Sequence, residues 1–184
     1  MNTPNKLTVL RMIFVPFFMA FMMIDITNIW LVITGLVIFI IASITDAVDG
    51  RMARKYNMVT DFGKFMDPLA DKMLTTAAFL VLAHHGRASV IAVMLILTRE
   101  FIVSGIRLVA AGGGKVIAAS WWGKIKTIFQ MVAIIVAIIL FLPIFPENIS
   151  VLTTEILVWL SAVITVVSGY DYVAKNFDLI KDAK

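Results

Sequence analysis

The sequence contains no cysteine and few charged residues, and both shortages limit what the protein can be. Without cysteine there are no disulfides and no thiolate zinc or iron–sulfur sites. Charged residues make up 15% of the 184 residues, whereas 61% are hydrophobic. A soluble domain of this length would be about half apolar, so the mean hydropathy of +0.98 indicates a membrane protein. The net charge of +4 is too small to indicate nucleic acid as a partner.

Long apolar runs occupy most of the chain and predict one all-α, polytopic membrane domain over residues 1–184. Six helices of about 20 residues would use about 120 positions, close to the hydrophobic share of the chain. A polar segment at the N-terminus predicts a short interfacial entry to the first helix. The six transmembrane helices are predicted at 12–24, 29–47, 67–84, 88–110, 121–142 and 151–173.

The distribution of basic residues predicts how these helices are oriented. With six spans and an inner N-terminus, the outer loops lie near residues 25–28, 84–87 and 143–150. Of the 16 Lys and Arg residues, only Arg87 then falls outside. Because cytoplasmic loops carry the excess of Lys and Arg, we expect a multi-pass protein of the cell membrane. Both termini and the candidate active site are expected on the cytoplasmic side.

One segment, residues 46–72, breaks the general scarcity of charge, because it carries five aspartates and five Lys or Arg residues. If the second helix continues for two further turns, Asp46 and Asp49 lie on one face of it. Gly50 and Ala53 fall within the same arc of about 100°. Such small residues allow a bulky ligand to approach the helix backbone closely.

The third predicted helix presents a second pair of carboxylates. Asp67 and Asp71 are four residues apart and share a face, with Gly63 close to it. Pro68 is well tolerated in a first helical turn, so we expect these aspartates at the cytoplasmic end of the helix.

Four aspartates that converge near a membrane interface cannot all stay ionised unaided. Two unit charges ~4 Å apart repel by about 4 kcal/mol at an effective dielectric constant near 20. Either some of the carboxylates are protonated or divalent cations lie among them. Oxygen-only ligands favour a hard ion such as Mg²⁺, with Mn²⁺ or Ca²⁺ as substitutes. Carboxylates, a metal and an anionic ligand together indicate phosphoryl transfer.

The spacing D-x2-D-G-x2-A-R-x8-G-x3-D-x3-D is complete in this segment. It resembles the signature of the CDP-alcohol phosphotransferase family at all eight fixed positions. The resemblance implies that family's six-helix membrane fold, a homodimer embedded in membrane lipids, and an enzyme that displaces CMP from a CDP-linked substrate. The matching positions are Asp46, Asp49, Gly50, Ala53, Arg54, Gly63, Asp67 and Asp71.

The same resemblance implies roles for these residues. Two Mg²⁺ ions, with Mn²⁺ as a possible substitute, would be held by four carboxylates, and Asp71 would also act as the catalytic general base. The implied metal ligands are Asp46, Asp49, Asp67 and Asp71. The implied contacts to the CDP-lipid are Asn5, Thr8, Asp49, Gly50, Ala53, Arg54 and Gly63.

Three flanking motifs resemble the bacterial phosphatidylglycerophosphate synthases within this family. They are "NKLTVLR", "REFIVSGIRLVAAGGGKVIAAS" and "GKIKTIFQM". The likeness implies CDP-diacylglycerol as the donor and sn-glycerol 3-phosphate as the acceptor, with phosphatidylglycerophosphate and CMP as products.

Basic residues far inside the predicted helices suit an anionic acceptor. Arg99, Arg107, Lys124 and Lys126 are the candidates for binding its phosphate. Arg107 lies within 20° of Glu100 on the fourth helix, so pairing with that carboxylate is the alternative role. Lys124 and Lys126 are 200° apart, so a regular helix cannot direct both into one pocket, and one of them is free to extend to the lipid headgroups.

Three other functions are compatible with parts of this pattern. A family member with another acceptor, such as serine, inositol phosphate or phosphatidylglycerol, would keep the aspartates and differ in the acceptor pocket. A divalent-cation or proton-coupled transporter also uses buried carboxylates, but nearer the middle of the bilayer. A purely structural membrane subunit leaves Gly50 and Gly63 without explanation.

Overall fold

The computed structural model describes the backbone of residues 3–55, 61–112 and 120–176, without the side chains of 3–4, 47–55, 61–65, 67–68, 109 and 111–112. The described residues form six α-helices, which confirms the predicted all-α class. The helices are α1 (Thr3–Ile24), α2 (Ile29–Lys55), α3 (Asp61–His84), α4 (Val90–Gly112), α5 (Trp121–Ile139) and α6 (Glu147–Lys175).

Helix α1 begins at Thr3 and not at residue 12, so the polar N-terminal segment is part of the helix and not a separate entry. The reason is a buried face that continues through the polar residues at intervals of three and four. This face is polar near the N-terminus and apolar further along. Its buried members are Asn5, Thr8, Arg11, Val15, Phe18 and Met22.

Two further helices extend beyond their apolar runs into the aspartate-rich segment. Helix α2 continues to Lys55, as the shared face of its carboxylates requires. Helix α3 begins at Asp61, so the placement of Pro68 in a first turn was wrong. Pro68 lies inside α3, where it has no N–H to donate to the carbonyl of Lys64. Hydropathy marks where a helix enters the membrane, which need not be where the helix begins.

Four of the six described helices, α1, α2, α5 and α6, are long and apolar enough to cross a membrane. The six-span prediction therefore remains open for α3 and α4. Both helices carry charged residues of the candidate site within their length, Asp71 in α3 and Arg99 and Glu100 in α4. These charged residues lower the mean hydropathy of α3 and α4, so hydropathy alone does not decide whether the two helices cross the bilayer.

The helices pack around one apolar core. Helix α1 lies against α2 and α3, while α6 lies against α4 and α5. The Phe18 and Phe39 rings meet at 5.7 Å between centroids across α1 and α2. At Gly35 a Cβ atom would come within 2.6 Å of Met22 Sδ, so glycine permits the close approach of these two helices.

A polar cluster closes the end of the bundle opposite the aspartates. The buried Arg87 guanidinium donates to the Leu140 carbonyl at 2.9 Å and to the Ser150 hydroxyl, and lies 4.2 Å above the Phe141 ring centroid. His85 Nε2 lies 2.8 Å from the carbonyl oxygen of Met22. We call Arg87, Phe141 and Ser150 the distal clamp, since they join the α3–α4 connection to the α5–α6 connection.

Candidate active site

An ion pair between α1 and α2 forms the first part of the site. The guanidinium of Arg11 donates from Nη1 to Oδ1 of Asp46. The Arg11 side chain is fully buried, whereas that of Asp46 is 37% exposed. The first carboxylate of the aspartate motif is therefore held from the neighbouring helix while one side of it stays open.

Asp71, on α3, has charged neighbours of both signs. Its carboxylate is in electrostatic range of the Asp46 carboxylate and of the basic groups of Lys72, Lys126 and Arg11. Apart from Lys72, which follows it in α3, these neighbours come from three other helices, α2, α5 and α1. The fold thus brings two of the four predicted carboxylates into electrostatic range of each other and of several basic groups.

A second charged cluster centres on Glu100 of α4. Its Oε1 accepts from the buried ammonium of Lys126 and, at 3.2 Å, from Nη1 of Arg99. Nη2 of Arg99 donates to the Ser168 hydroxyl of α6 at 2.8 Å. We call Arg99, Glu100 and Lys126 the basic cluster, because two cations share one carboxylate and leave a net positive charge.

The basic cluster is shaped by a glycine on α6. A Cβ atom at Gly169 would lie 2.7 Å from Cγ of Arg99, so the arginine stem rests directly on the α6 backbone. Arg99 Nε is buried and has no hydrogen-bond partner among the described residues. A buried donor without a partner is costly, and an anionic ligand would satisfy it.

Two of the four predicted phosphate-binding residues, Arg107 and Lys124, are more exposed than Arg99 and Lys126. Arg107 is exposed, and its Nε donates to the Tyr172 hydroxyl at 3.2 Å. In the described part of the chain it does not pair with Glu100, so the alternative role given to it was wrong. Lys124 is exposed, with its ammonium 6.0 Å from the Trp121 ring centroid.

The predicted CDP-lipid contacts fall partly outside the described residues. Asn5 and Thr8 are buried on the face of α1 that also carries Arg11. Helix α2 contains Gly50, Ala53 and Arg54, and α3 contains Gly63. Only the backbone of these residues is described. Their role in lipid binding stays a prediction.

The described carboxylates suit a hard divalent cation. Asp46 and Asp71 offer oxygen ligands, lie in electrostatic range of each other, and attract the guanidinium of Arg11. Among the described side chains there is no group of three metal-ligating residues. The side chains of Asp49 and Asp67, which would complete the set, lie outside the description. The two described carboxylates are ligands of the type that a divalent cation prefers.

The family model for CDP-alcohol phosphatidyltransferase matches residues 1–167. The chain belongs to this family. Membership confirms the resemblance inferred from the aspartate spacing and makes the protein a transferase, in place of a transporter or a structural subunit. The family is generally dependent on divalent metals, in agreement with the donor set described above.

Individual relatives agree with this assignment. The chain is 42% identical to the CDP-diacylglycerol–glycerol-3-phosphate 3-phosphatidyltransferase of Bacillus subtilis, over 98% of this chain and 97% of that protein. It is 37% identical to the enzyme of the same name from Rickettsia typhi, over 93% and 94%. The crystal structure of apo phosphatidylinositol phosphate synthase from Mycobacterium tuberculosis matches with a TM-score of 0.65 and 21% identity, over 96% of this chain and 90% of that one. The last comparison concerns the fold alone.

Sequence reasoning missed several partners within this family site. Arg11 follows Asn5 and Thr8 at intervals of three, so helical spacing could have placed it on their face. The pairing of Glu100 with Lys126 joins residues that are 26 positions apart on two different helices, and only the tertiary structure reveals it. Gly169 has no reactive group, so the sequence alone does not indicate its role, which is to leave room for Arg99.

We predict that Gly169→Ala lowers transferase activity by about 10-fold or more without changing any charge, because the new methyl group displaces Arg99. Gly105→Ala is the matched control on α4, where a Cβ atom meets nothing within 4 Å. Steady-state rates of both variants in detergent micelles are the measurement. Equal activities for the two would show that the position of Arg99 does not matter.

Proposed function

We propose that the chain transfers the phosphatidyl group from CDP-diacylglycerol to sn-glycerol 3-phosphate and releases CMP. The relatives from Bacillus subtilis and Rickettsia typhi carry the name of this reaction and align over nearly their whole length. The single structural observation in favour is the position of Asp71, in electrostatic range of both a carboxylate and the basic cluster. Such a position suits a reaction in which a metal-bound diphosphate meets a phosphorylated alcohol.

Two Mg²⁺ ions would complete the carboxylate side of the site, with Mn²⁺ as a substitute. When bound, they supply charge neutralisation for the diphosphate and for the departing CMP. The chain contributes oxygen ligands from two helices, and Arg11 orients one of them. The proposed ligands are Asp46, Asp49, Asp67 and Asp71.

The basic cluster would bind the phosphate of the acceptor. Lys126 is buried and in electrostatic range of Asp71, and Arg99 has a buried Nε without a partner among the described residues. Glu100 holds both cations in place but also offsets part of their charge. The bound phosphate would therefore interact with two preorganised cations, whose side chains need little further ordering.

Asp71 would act as the general base for the attacking alcohol. It accepts the proton from the glycerol 3-phosphate hydroxyl as that oxygen bonds to the β-phosphorus of CDP-diacylglycerol. The bond from this phosphorus to the CMP oxygen breaks, and CMP leaves with the electron pair. Direct displacement is favoured because the chain has no cysteine, and the Thr75 hydroxyl near Asp71 bonds to backbone carbonyls of its own helix.

The remaining assignments follow from the membrane setting. The donor's acyl chains would stay in the bilayer, with its CDP group near Asn5, Thr8, Asp49, Gly50, Ala53, Arg54 and Gly63. We propose one domain over residues 1–184, a homodimer, and a multi-pass location in the cell membrane with termini and active site facing the cytoplasm. The basic residues concentrated on one side support this orientation.

An acceptor screen tests the function. Purified protein with Mg²⁺ and CDP-diacylglycerol is expected to release CMP with glycerol 3-phosphate, and far less with serine, inositol phosphate or phosphatidylglycerol. EDTA should abolish the release, and Mg²⁺ or Mn²⁺ should restore it. Preference for another acceptor would reject the proposed reaction within the family, while full activity in EDTA would reject the metal site.

The two lysines of α5 provide a matched pair for the acceptor site. Lys126→Ala should raise KM for glycerol 3-phosphate by at least ~10-fold, with a much smaller effect on KM for CDP-diacylglycerol, because it removes a buried charge-assisted contact to the phosphate. Lys124→Ala removes the same charge from an exposed position and should change neither value appreciably. Equal effects of the two substitutions would place the phosphate outside the basic cluster.

Substitution of Asp46 on α2 and of Asp71 on α3 should affect donor binding differently. Asp71→Asn keeps an oxygen ligand but accepts no proton, so turnover should fall by ~10² to 10⁴ while donor binding in Mg²⁺ stays near native. Asp46→Asn should lose donor binding as well as turnover. Donor titrations and single-turnover rates on both variants provide the comparison. Normal turnover in Asp71→Asn, or a loss of donor binding as severe as in Asp46→Asn, would remove the general-base role.

A further inference from the structure

Arg11 is a fully buried cation that the proposed reaction does not use directly. It lies on α1, which packs against both α2 and α3, the two helices that carry the aspartates. Its guanidinium pairs with Asp46 and is also in electrostatic range of Asp71. Arg11 therefore contacts Asp46 from the buried interior, while part of the Asp46 side chain stays exposed.

A second buried arginine shows that this arrangement is specific to the site. Arg87, 8% exposed, is held by the Leu140 carbonyl, the Ser150 hydroxyl and the Phe141 ring. Its hydrogen-bonding partners are neutral, and the carboxylate in its electrostatic range, Glu147, does not belong to the aspartate motif. Arg11, in contrast, has a carboxylate partner that belongs to the aspartate motif.

The carboxylates need a positive charge whether or not a metal is bound. Two neighbouring ionised carboxylates repel each other, and a buried charge such as the Arg11 guanidinium requires a partner. Arg11 supplies a positive charge that is covalently part of the chain and so is present before any ion arrives. A divalent cation, once bound, supplies positive charge to the same carboxylates from the open side.

We propose that Arg11 is a positioning residue that acts as a built-in counter-ion: it holds Asp46 in place and keeps the carboxylate cluster folded until the divalent cation binds. The inference rests on the metal site of the proposed function, but not on the identity of the acceptor. Its consequence is that the contribution of Arg11 to stability is largest in the absence of metal and smaller when the ion is bound.

Thermal unfolding in detergent, with EDTA or with saturating Mg²⁺, tests this consequence. Arg11→Gln should lower Tm in both media, but more in EDTA, so that the rise in Tm caused by Mg²⁺ exceeds that of the unsubstituted protein by about 2–4 °C or more. Arg11→Lys keeps the charge and should show nearly the original Mg²⁺ effect. Arg87→Gln is the matched control, since it removes a buried arginine from the distal clamp and should lower Tm equally in both media.

A double substitution separates the counter-ion role from simple packing. If Arg11 balances the charge of Asp46, then adding Asp46→Asn to Arg11→Gln should recover part of the Tm lost in EDTA. A merely structural arginine would show no such recovery. If Arg11→Gln does not fold in EDTA alone, recovery of the fold by the double variant still supports the proposal.

Three results would overturn the proposal. One is an equal fall in Tm for Arg11→Gln in EDTA and in Mg²⁺, as expected for Arg87→Gln. The second is an absence of recovery in the double variant. The third is an unsubstituted protein whose Tm does not respond to Mg²⁺, which would remove the metal that the proposal requires. A different preferred acceptor would reject the proposed reaction and leave the Tm results for Arg11 unaffected.

Discussion

Charges buried between apolar helices have to be paired, and the interior of this protein is organised by that constraint. Arg11 pairs with Asp46 between α1 and α2. Glu100 pairs with Arg99 within α4 and with Lys126 of α5. The Arg11–Asp46 and Lys126–Glu100 pairs each connect two helices. The same contacts that hold the helices together therefore also hold the reactive groups in position.

One part of the site is centred on the Asp46 carboxylate and the other is the basic cluster. Asp71 lies in electrostatic range of both. It is repelled by Asp46 and attracted by Lys126, so a donor and an acceptor bound on the two sides would meet beside its carboxylate. Ser168 and Gly169 extend the arrangement to α6, which supports the Arg99 side chain. All six helices thus contribute to one site, although they are distributed over most of the chain.

The sequence was sufficient for the number and order of the helices in the described residues and for the continuation of α2 beyond Asp46, because hydropathy and the 3.6-residue period are local properties. Helical spacing also placed Lys124 and Lys126 on different faces of α5, but it did not show which of the two is buried. The pairing of Arg11 with Asp46 depends on how α1 packs against α2, which no local pattern encodes. The position of Pro68 was misjudged because α3 begins in polar residues before its apolar run.

The distal clamp has a consequence for how stability and chemistry are distributed in the protein. Arg87 and Phe141 fill the end of the bundle away from the carboxylates and tie two connections together there. In the described residues the charged site lies toward the other end of the bundle, and none of its groups contacts the clamp. The residues that hold the helix ends together are therefore separate from those that carry the chemistry.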